Sequence, residues 1–293
     1  MEQNINAMDF EQYLEKVDPL LLMKKIRKFR ETNIRNMNDG QLMQAINEVL
    51  CFQGIFQYAV NIRALPKESL FYRVRKMKDF KTIMDQMTTI GAFWEPPAKF
   101  VHEWGRLNKP NEPLLYTALD IQGAIDELHI ADEDWFVLIK YKSLEEVKIN
   151  WIGGQYNDDQ LRIQSPKARL IHEIYNNFLK DEFSRDVGVG TEYLYRISEN
   201  IAKAYFDLPP RAVQDAWCYA SIQDKSKCNV CFRPEIAHDL LHLEGAMICR
   251  KIHDNLACYR MLTIGENGKI YGCNVGETGA VGQNQIFPEL MRL

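Results

Sequence analysis

Apolar residues recur at helical spacing through the first sixty positions of the chain. Asp18-Pro19 supplies a capping side chain and a proline suited to a first helical turn, ahead of the run LLLMKKIRKFRETN. A second helix is predicted after Asn38-Asp39-Gly40, and its apolar positions fall near helical spacing: Leu42, Ile46, Val49, Leu50, Phe56 and Val60. Pro66 ends this pattern. The width of the apolar stripe favours packing of both helices on the rest of the chain, with a docking arm for a partner as the alternative.

Short apolar runs separated by helical segments follow from residue 70 onward. Strands are predicted at 71–75, 114–118 and 135–141, and helices over 120–128, from Ser165-Pro166 onward and over 192–206. The chain beyond Trp217 is rich in predicted strands, and the Asn267-Gly268 pair between 256–264 and 269–272 indicates a hairpin. Irregularly mixed strands and helices that end in a β-meander predict an α+β fold.

Composition narrows the class of protein. The chain has 293 residues, of which 46% are hydrophobic and 26% charged, and a formal net charge of −4, which argues against a nucleic-acid partner. The one basic cluster, at 72–78, is short and taken alone is more typical of a solvated strand edge. No run approaches the roughly 18 apolar residues of a membrane span, and no basic-then-apolar leader opens the chain. Seven irregularly spaced cysteines are unlike a secreted disulfide framework, so a cytoplasmic location is expected.

A zinc site is the most tempting metal assignment. Cys228 and Cys231 precede His238 and His242, but only six residues separate the second cysteine from the first histidine, about half the spacing of a zinc finger. In an extended strand the two cysteines would also point to opposite faces. We therefore expect no metal, and a zinc-stabilised interaction protein ranks last among the functions considered. The chain also lacks the sequence patterns GxxxxGK[ST], GxGxxG and GxSxG of common nucleotide and hydrolase sites.

Three separated pieces of sequence carry the candidate chemistry. They are LFYRV at 70–74, then WGRLN at 104–108 with LLYTA at 114–118 and AIDE at 124–127, and finally CYAS at 218–221 followed by Asn229 and Pro234. Together they resemble the RES family, named for its Arg, Glu and Ser, whose members include bacterial toxins that consume NAD⁺. The resemblance covers about 68–245 and is best at 104–127. The tract EYLYRIS at 192–198 is similar to longer members.

The resemblance assigns five site residues. It implies that Arg73, Glu127 and Ser221 are catalytic, and that NAD⁺ is bound by Arg73, Arg106, Tyr116 and Ser221. The chain departs from the family pattern at three places, without losing a functional group: Leu107 where tryptophan is common, Pro110-Asn111 where a proline-glycine turn is usual, and Ala220 where proline often precedes the serine.

These residue types suit cleavage of the nicotinamide–ribose bond. An arginine fork matches the oxygens of a pyrophosphate. Cleavage develops positive charge on the ribose, which a carboxylate such as Glu127 stabilises. The face and hydroxyl of Tyr116 suit the nicotinamide ring, and the Ser221 hydroxyl suits its carboxamide or a phosphate. Nicotinamide leaves as a neutral amine, so little acid catalysis is required.

The resemblance therefore implies an NAD⁺-consuming enzyme of glycohydrolase or phosphorylase type, with NAD⁺ as its substrate and no prosthetic group. It further implies an ADP-ribosyltransferase-like fold with a mixed or antiparallel sheet, in a catalytic domain over 67–293 behind an N-terminal helical region over 1–66. A toxin role and a separate antitoxin partner follow from the family alone, and a homo-oligomer is left open. Two alternatives remain: an ADP-ribosyltransferase that modifies a macromolecule, and a non-catalytic nucleotide-binding module. No membrane or nucleic-acid partner is expected.

Overall fold

The computed structural model describes residues 7–156, 161–188, 190–225, 227–253, 255–265, 267–276 and 286–291. They form an α+β fold built on one large mixed sheet. Its helices are α1 Ala7–Lys16, α2 Pro19–Glu31, α3 Asp39–Leu50, α4 Phe80–Gln86, α5 Ile121–Glu127, α6 Pro166–Phe183, α7 Tyr195–Tyr205 and α8 Pro234–Leu240. Its strands are β1 Cys51–Phe52, β2 Ile55–Phe56, β3 Ile62–Leu65, β4 Leu70–Met77, β5 Leu115–Ala118, β6 Trp135–Ser143, β7 Val147–Ile152, β8 Ala216–Ala220, β9 Cys228–Phe232, β10 Leu241–Ile252, β11 Asn255–Ile264 and β12 Ile270–Asn274.

The large sheet contains ten strands in the order β12-β11-β10-β6-β4-β5-β9-β8-β7-β3. Neighbouring strands are antiparallel except β7 and β8, which run parallel. The last three strands form the predicted β-meander, in which Gly268 adopts a positive φ of 72° in the turn between β11 and β12. The α+β prediction is confirmed at this level.

Helices cover both faces of the sheet. On one face α1, α2, α3, α6 and α7 share a core with Trp217 and Tyr219, and α5 packs beside them over Tyr72 and Val74. On the other face α4 and α8 pack against Phe71 and neighbouring strands. The packing predicted for the N-terminal helices is therefore confirmed. The domain boundary between residues 66 and 67 stays a prediction.

Local signals placed several helix starts correctly. Asp18 caps α2, where its side chain accepts a hydrogen bond from the Leu21 amide, and Ser165 caps α6 in the same way. Asn38 and Gln41 form a reciprocal capping box at the start of α3. The predicted continuation of α3 toward residue 60 is wrong. The helix ends at Leu50, and a tight β1–β2 hairpin follows.

This early end of α3 has a physical reason. Gln53 and Gly54 both adopt positive φ in the hairpin, at 52° and 79°, a conformation that no helix contains. Phe56 consequently lies in β2 and stacks on Tyr205 instead of extending the helical stripe.

No helix within the described ranges is long and apolar enough to cross a membrane.

Candidate functional site

A cavity lies where two adjacent strands of the large sheet separate. β4 and β5 pair at a single position, Tyr72 with Ala118. Beyond that pair, a cavity of about 520 Å³ is lined by residues 73–76 of β4, by Leu114 just before β5 and by Tyr116 and Thr117 within β5. This volume lies in the range of small-molecule sites. Because the gap passes through the sheet, side chains from both of its faces can reach the same space.

The structure brings the five sequence-predicted site residues together at this cavity. Four of them line it directly: Arg73, Arg106, Tyr116 and Glu127. The fifth, Ser221, follows β8, and its Oγ donates a hydrogen bond of 3.3 Å to Glu127 Oε2. Residues almost 150 positions apart in sequence thus meet at one place in the fold.

The loop that carries Arg106 is held by Tyr116. The Tyr116 hydroxyl accepts a 3.0 Å hydrogen bond from the Leu107 amide and donates one of 2.8 Å to Asn108 Oδ1. Burial raises the pKa of Tyr116 well above its usual value, so the hydroxyl stays protonated. A Cβ at Gly105 would lie 2.2 Å from Asn108 Oδ1, so a larger residue there would displace the Asn108 amide that accepts from Tyr116. The hydroxyl that we expected to orient a ligand is therefore already engaged by the loop.

Arg106 is buried without a carboxylate partner. Its side chain lies between two aromatic rings, with Cζ 5.0 Å from the centroid of Tyr195 and 5.4 Å from that of Tyr219. Nη2 donates to the Arg185 carbonyl at 3.2 Å, whereas Nη1 is buried with no hydrogen-bond partner. A guanidinium is charged at every accessible pH, so this donor needs an acceptor that the described protein groups do not provide.

Arg73 reaches the cavity from the other face of the sheet. Residues alternate along β4, so Arg73 shares the face of Phe71, opposite Tyr72 and Val74. One Arg73 Nη donates to the Trp94 carbonyl. Burial raises the pKa of the nearby Tyr141 to about 12, even though the Arg73 guanidinium favours its phenolate.

Arg75 has a different set of partners. Its guanidinium donates to the Ala92 carbonyl at 3.3 Å and to Gln86 Oε1 at 3.1 Å, and so ties β4 to α4 and the turn after it. Burial and then the neighbouring Arg73 charge lower the pKa of Arg75. The two arginines are therefore close together, but more of the donors of Arg75 are occupied.

The carboxylate side of the cavity is formed by Glu127, the last residue of α5. Burial, then the Glu127 charge, raise the pKa of Tyr219. Asn229 lines the cavity from β9, is buried, and has no partner for its Nδ2 amide. Two buried donors, one on Arg106 and one on Asn229, thus lack acceptors at the same cavity.

The charge of the cavity is positive once its ion pairs are counted. Lys76 is paired with Asp134, and Glu112 with Lys203 at 2.5 Å. This leaves three guanidinium groups against the Glu127 carboxylate, and none of the three forms an ion pair within the described part of the chain: Arg73, Arg75 and Arg106. Such a site favours a ligand that is anionic over part of its length and becomes cationic near the carboxylate.

Tyr195, Tyr219 and Asn229 stand out among the lining residues that were not assigned from the sequence. Tyr219 and Asn229 lie in the third sequence piece, and Tyr195 lies in the EYLYRIS tract, but nothing in their local pattern distinguishes them from core residues. Only the tertiary contacts with Arg106 and the unpartnered amide of Asn229 single them out.

The cysteines and histidines considered for zinc are not arranged as ligands. Cys231 packs in the core beside Trp217, whereas Cys228 packs on the opposite face of the sheet. His238 stacks on Trp94 at 4.4 Å, and its Nε2 lies 3.1 Å from a Glu95 oxygen. Across the described ranges, no cluster of three or more His, Cys, Asp or Glu side chains is arranged to hold a metal ion.

No protein-family model matches this chain, and no curated protein matches it.

Proposed function

We propose that this protein consumes NAD⁺ by breaking its nicotinamide–ribose bond, and that it is a divergent RES-type enzyme on an ADP-ribosyltransferase-like fold. The observation that carries the proposal is the charge pattern of one cavity. Three guanidinium groups without carboxylate partners face a single carboxylate, Glu127, that is held by the Ser221 hydroxyl. NAD⁺ has the complementary pattern, because its pyrophosphate is anionic and its ribose becomes cationic during cleavage.

In this proposal the arginines bind the pyrophosphate. The Arg106 Nη1 group is buried and lacks an acceptor, and a phosphate oxygen would supply one. Arg73 adds a second guanidinium from the opposite face of the sheet. Buried charge–phosphate contacts of this kind act mainly on binding, because the pyrophosphate does not change during the reaction.

Glu127 supplies the chemistry. As the bond to nicotinamide lengthens, the ribose ring acquires oxocarbenium character, which a nearby carboxylate stabilises electrostatically. The Ser221 hydroxyl fixes one Glu127 oxygen, which limits the reorganisation of the carboxylate during the reaction. The electron pair of the breaking bond leaves with nicotinamide as a neutral amine, and water or inorganic phosphate then forms the new bond to the ribose carbon. Where water attacks, its extra proton passes to the bulk solvent.

Product analysis tests this proposal. Purified protein is incubated with NAD⁺ in buffers with and without inorganic phosphate, and the products are separated by chromatography. The expected products are nicotinamide with ADP-ribose when water attacks, or nicotinamide with phosphorylated ADP-ribose when phosphate attacks. With NAD⁺ labelled in its ADP-ribose part and a cell extract added, label that stays on a macromolecule instead identifies an ADP-ribosyltransferase.

A matched pair of variants links the activity to this cavity. Glu127→Gln should lose the activity, whereas Glu112→Gln should keep most of it, because Glu112 lines the same cavity but is already paired with Lys203. NAD⁺ that stays intact under all of these conditions, with the protein folded, would favour the non-catalytic binding module.

A further inference from the structure

The Arg106 guanidinium lies in a slot between two tyrosine rings. Tyr195 begins α7 and Tyr219 belongs to β8, and both rings line the cavity. The Arg106 Cζ lies 5.0 Å and 5.4 Å from their centroids, within the range in which a cation is attracted to a ring face. Arginine suits such a slot because its planar guanidinium stacks on aromatic rings while its edge donates hydrogen bonds.

Two hydrogen bonds also hold Arg106, one at its backbone carbonyl and one at its guanidinium. Ser198, one turn after Tyr195 on α7, donates from Oγ to the Arg106 carbonyl at 2.8 Å. The Arg185 carbonyl, just after α6, accepts from Nη2 at 3.2 Å. Arg106 is thus held at its backbone, at Nη2 and on its ring-facing side, whereas Nη1 is buried without a partner.

We propose that Tyr195 is a positioning residue: with Tyr219 it holds the Arg106 guanidinium so that Nη1 is aimed at a phosphate oxygen of the bound ligand. This inference rests on the proposed function, since it assumes that the cavity takes a pyrophosphate-bearing ligand. The role belongs to the aromatic ring and not to the hydroxyl. Holding a long side chain in its bound geometry removes part of the entropy cost of binding.

Tyr195 can be tested more cleanly than Tyr219. Tyr219 is fully buried in the sheet, so its replacement would damage the core. Tyr195 is only half-buried at the start of a helix. Tyr193 provides a matched control, because its ring packs on Arg35 at 5.4 Å in the same tract but does not line the cavity.

The test measures binding of inorganic pyrophosphate by titration calorimetry. Relative to wild type, Tyr195→Leu should raise the Kd about five- to tenfold, which is the range for the cost of ordering one long flexible side chain on binding. Tyr195→Phe should keep the wild-type Kd within about twofold, and so should Tyr193→Leu. Arg106→Met should abolish most of the binding, which identifies the arginine that the probe contacts.

Kinetics provide a second measurement. Tyr195→Leu should raise the KM for NAD⁺ and leave kcat within about twofold, because a pyrophosphate contact is equally strong in substrate and transition state. Thermal unfolding checks that the variants are folded. Should Tyr195→Leu not fold, nitrogen NMR of arginine-labelled wild type decides, since a held guanidinium shows separate Nη signals and a freely rotating one does not.

The outcomes separate this inference from the proposed function. The expected pattern of pyrophosphate binding without any nicotinamide release would support the positioning role and reject the enzyme. Nicotinamide release with equal KM values for wild type and Tyr195→Leu would support the enzyme and overturn the positioning role. Absence of pyrophosphate binding by wild type, equal binding by Arg106→Met, or freely averaged Arg106 Nη signals would also overturn it.

Discussion

Two buried cations of the sheet region are equally hidden from solvent but differ in their hydrogen-bond and charge partners. Lys140 on β6 and Arg106 beside the cavity are each 4% exposed. Lys140 Nζ donates to Glu289 Oε1 at 2.7 Å and to the Ile286 carbonyl at 2.7 Å, so residues 286–291 supply both partners of this ammonium group. Among the described residues Arg106 has aromatic faces and one carbonyl but no carboxylate. A buried charge normally requires a partner, and we propose that a ligand supplies the one that Arg106 lacks.

His172 illustrates a third solution for a buried nitrogen. Its Nε2 also lacks a partner, but burial lowers the pKa of this histidine to about 4, so the ring is neutral near pH 7. The ring stacks on Tyr58 at 5.1 Å and meets Tyr156 edge-on at 4.9 Å. An imidazole can avoid an unpaired charge by losing its proton, whereas a guanidinium cannot. We therefore propose a ligand as the partner of Arg106 and not of His172.

The largest expected effect is on catalysis by Glu127. Glu127→Gln keeps the size of the side chain but removes the charge, so turnover should fall by a few hundred-fold, or about 3–4 kcal/mol. Affinity for NAD⁺ should change much less, because the ground-state ribose carries no positive charge. Steady-state kinetics and calorimetry on the same preparation measure both quantities, with Glu112→Gln as the control. Turnover at the wild-type rate would mean that Glu127 is only a helix-end residue.

The comparison of the two buried cations predicts unequal effects on stability. Lys140→Met leaves the Glu289 carboxylate without its cation and with only the Tyr72 hydroxyl as a partner, and should lower the free energy of unfolding by about 3 kcal/mol. Arg106→Met removes a charge that has no carboxylate partner, and should change that free energy by less than about 1 kcal/mol. Urea unfolding of both variants measures the difference. Equal losses would remove the distinction between a structural and a ligand-binding cation.

The buried His172 predicts loss of stability in acid. The unfolded chain binds a proton below about pH 6.5, and the folded chain only below about pH 4, so the free energy of unfolding falls as the pH drops through this window. The contribution of this group should be about 3 kcal/mol. His172→Phe keeps a ring against Tyr58 and should flatten this part of the pH profile of urea unfolding. A slope between pH 6.5 and 4 that is unchanged in His172→Phe would assign it to other groups.

The smallest expected effect separates the two arginines of β4. Arg73→Lys should weaken NAD⁺ binding about tenfold, because a lysine cannot reproduce a bidentate fork. Arg75→Lys should change binding by less than about threefold, because the Arg75 donors are engaged by Ala92 and Gln86. Calorimetric titration of both variants with NAD⁺ measures this difference. Equal weakening would remove the basis for choosing Arg73 over Arg75.

Much of the architecture could be predicted because local signals determine it. Asp18, Asp120 and Ser165 cap helices through contacts three residues away, so their positions follow from the sequence alone. The end of α3 could not be predicted, because the apolar spacing continued while a hairpin with two positive-φ residues competed with it. The sheet order also depends on pairings between strands far apart in sequence, such as β6 between β10 and β4.

The candidate site could likewise be predicted only in part. The sequence supplied Arg73, Arg106, Tyr116, Glu127 and Ser221 through their order and local context, and the fold brings them together. It did not supply the slot of Tyr195 and Tyr219, since tyrosines in apolar runs are usually core residues. Nor did it foresee that the Tyr116 hydroxyl would be engaged by the loop at Asn108. Roles set by contacts across the fold leave no local pattern.

Release of nicotinamide is the measurement that tests the central claim most directly. Wild type and Arg106→Met, both shown to be folded, are incubated with a subsaturating concentration of NAD⁺, and free nicotinamide is quantified over time. Wild type should release nicotinamide steadily, and Arg106→Met should release it at least about tenfold more slowly, since the lost phosphate contact lowers kcat/KM. No release by folded wild type, or equal release by both proteins, would contradict the claim that the buried guanidinium of this cavity holds the substrate for cleavage.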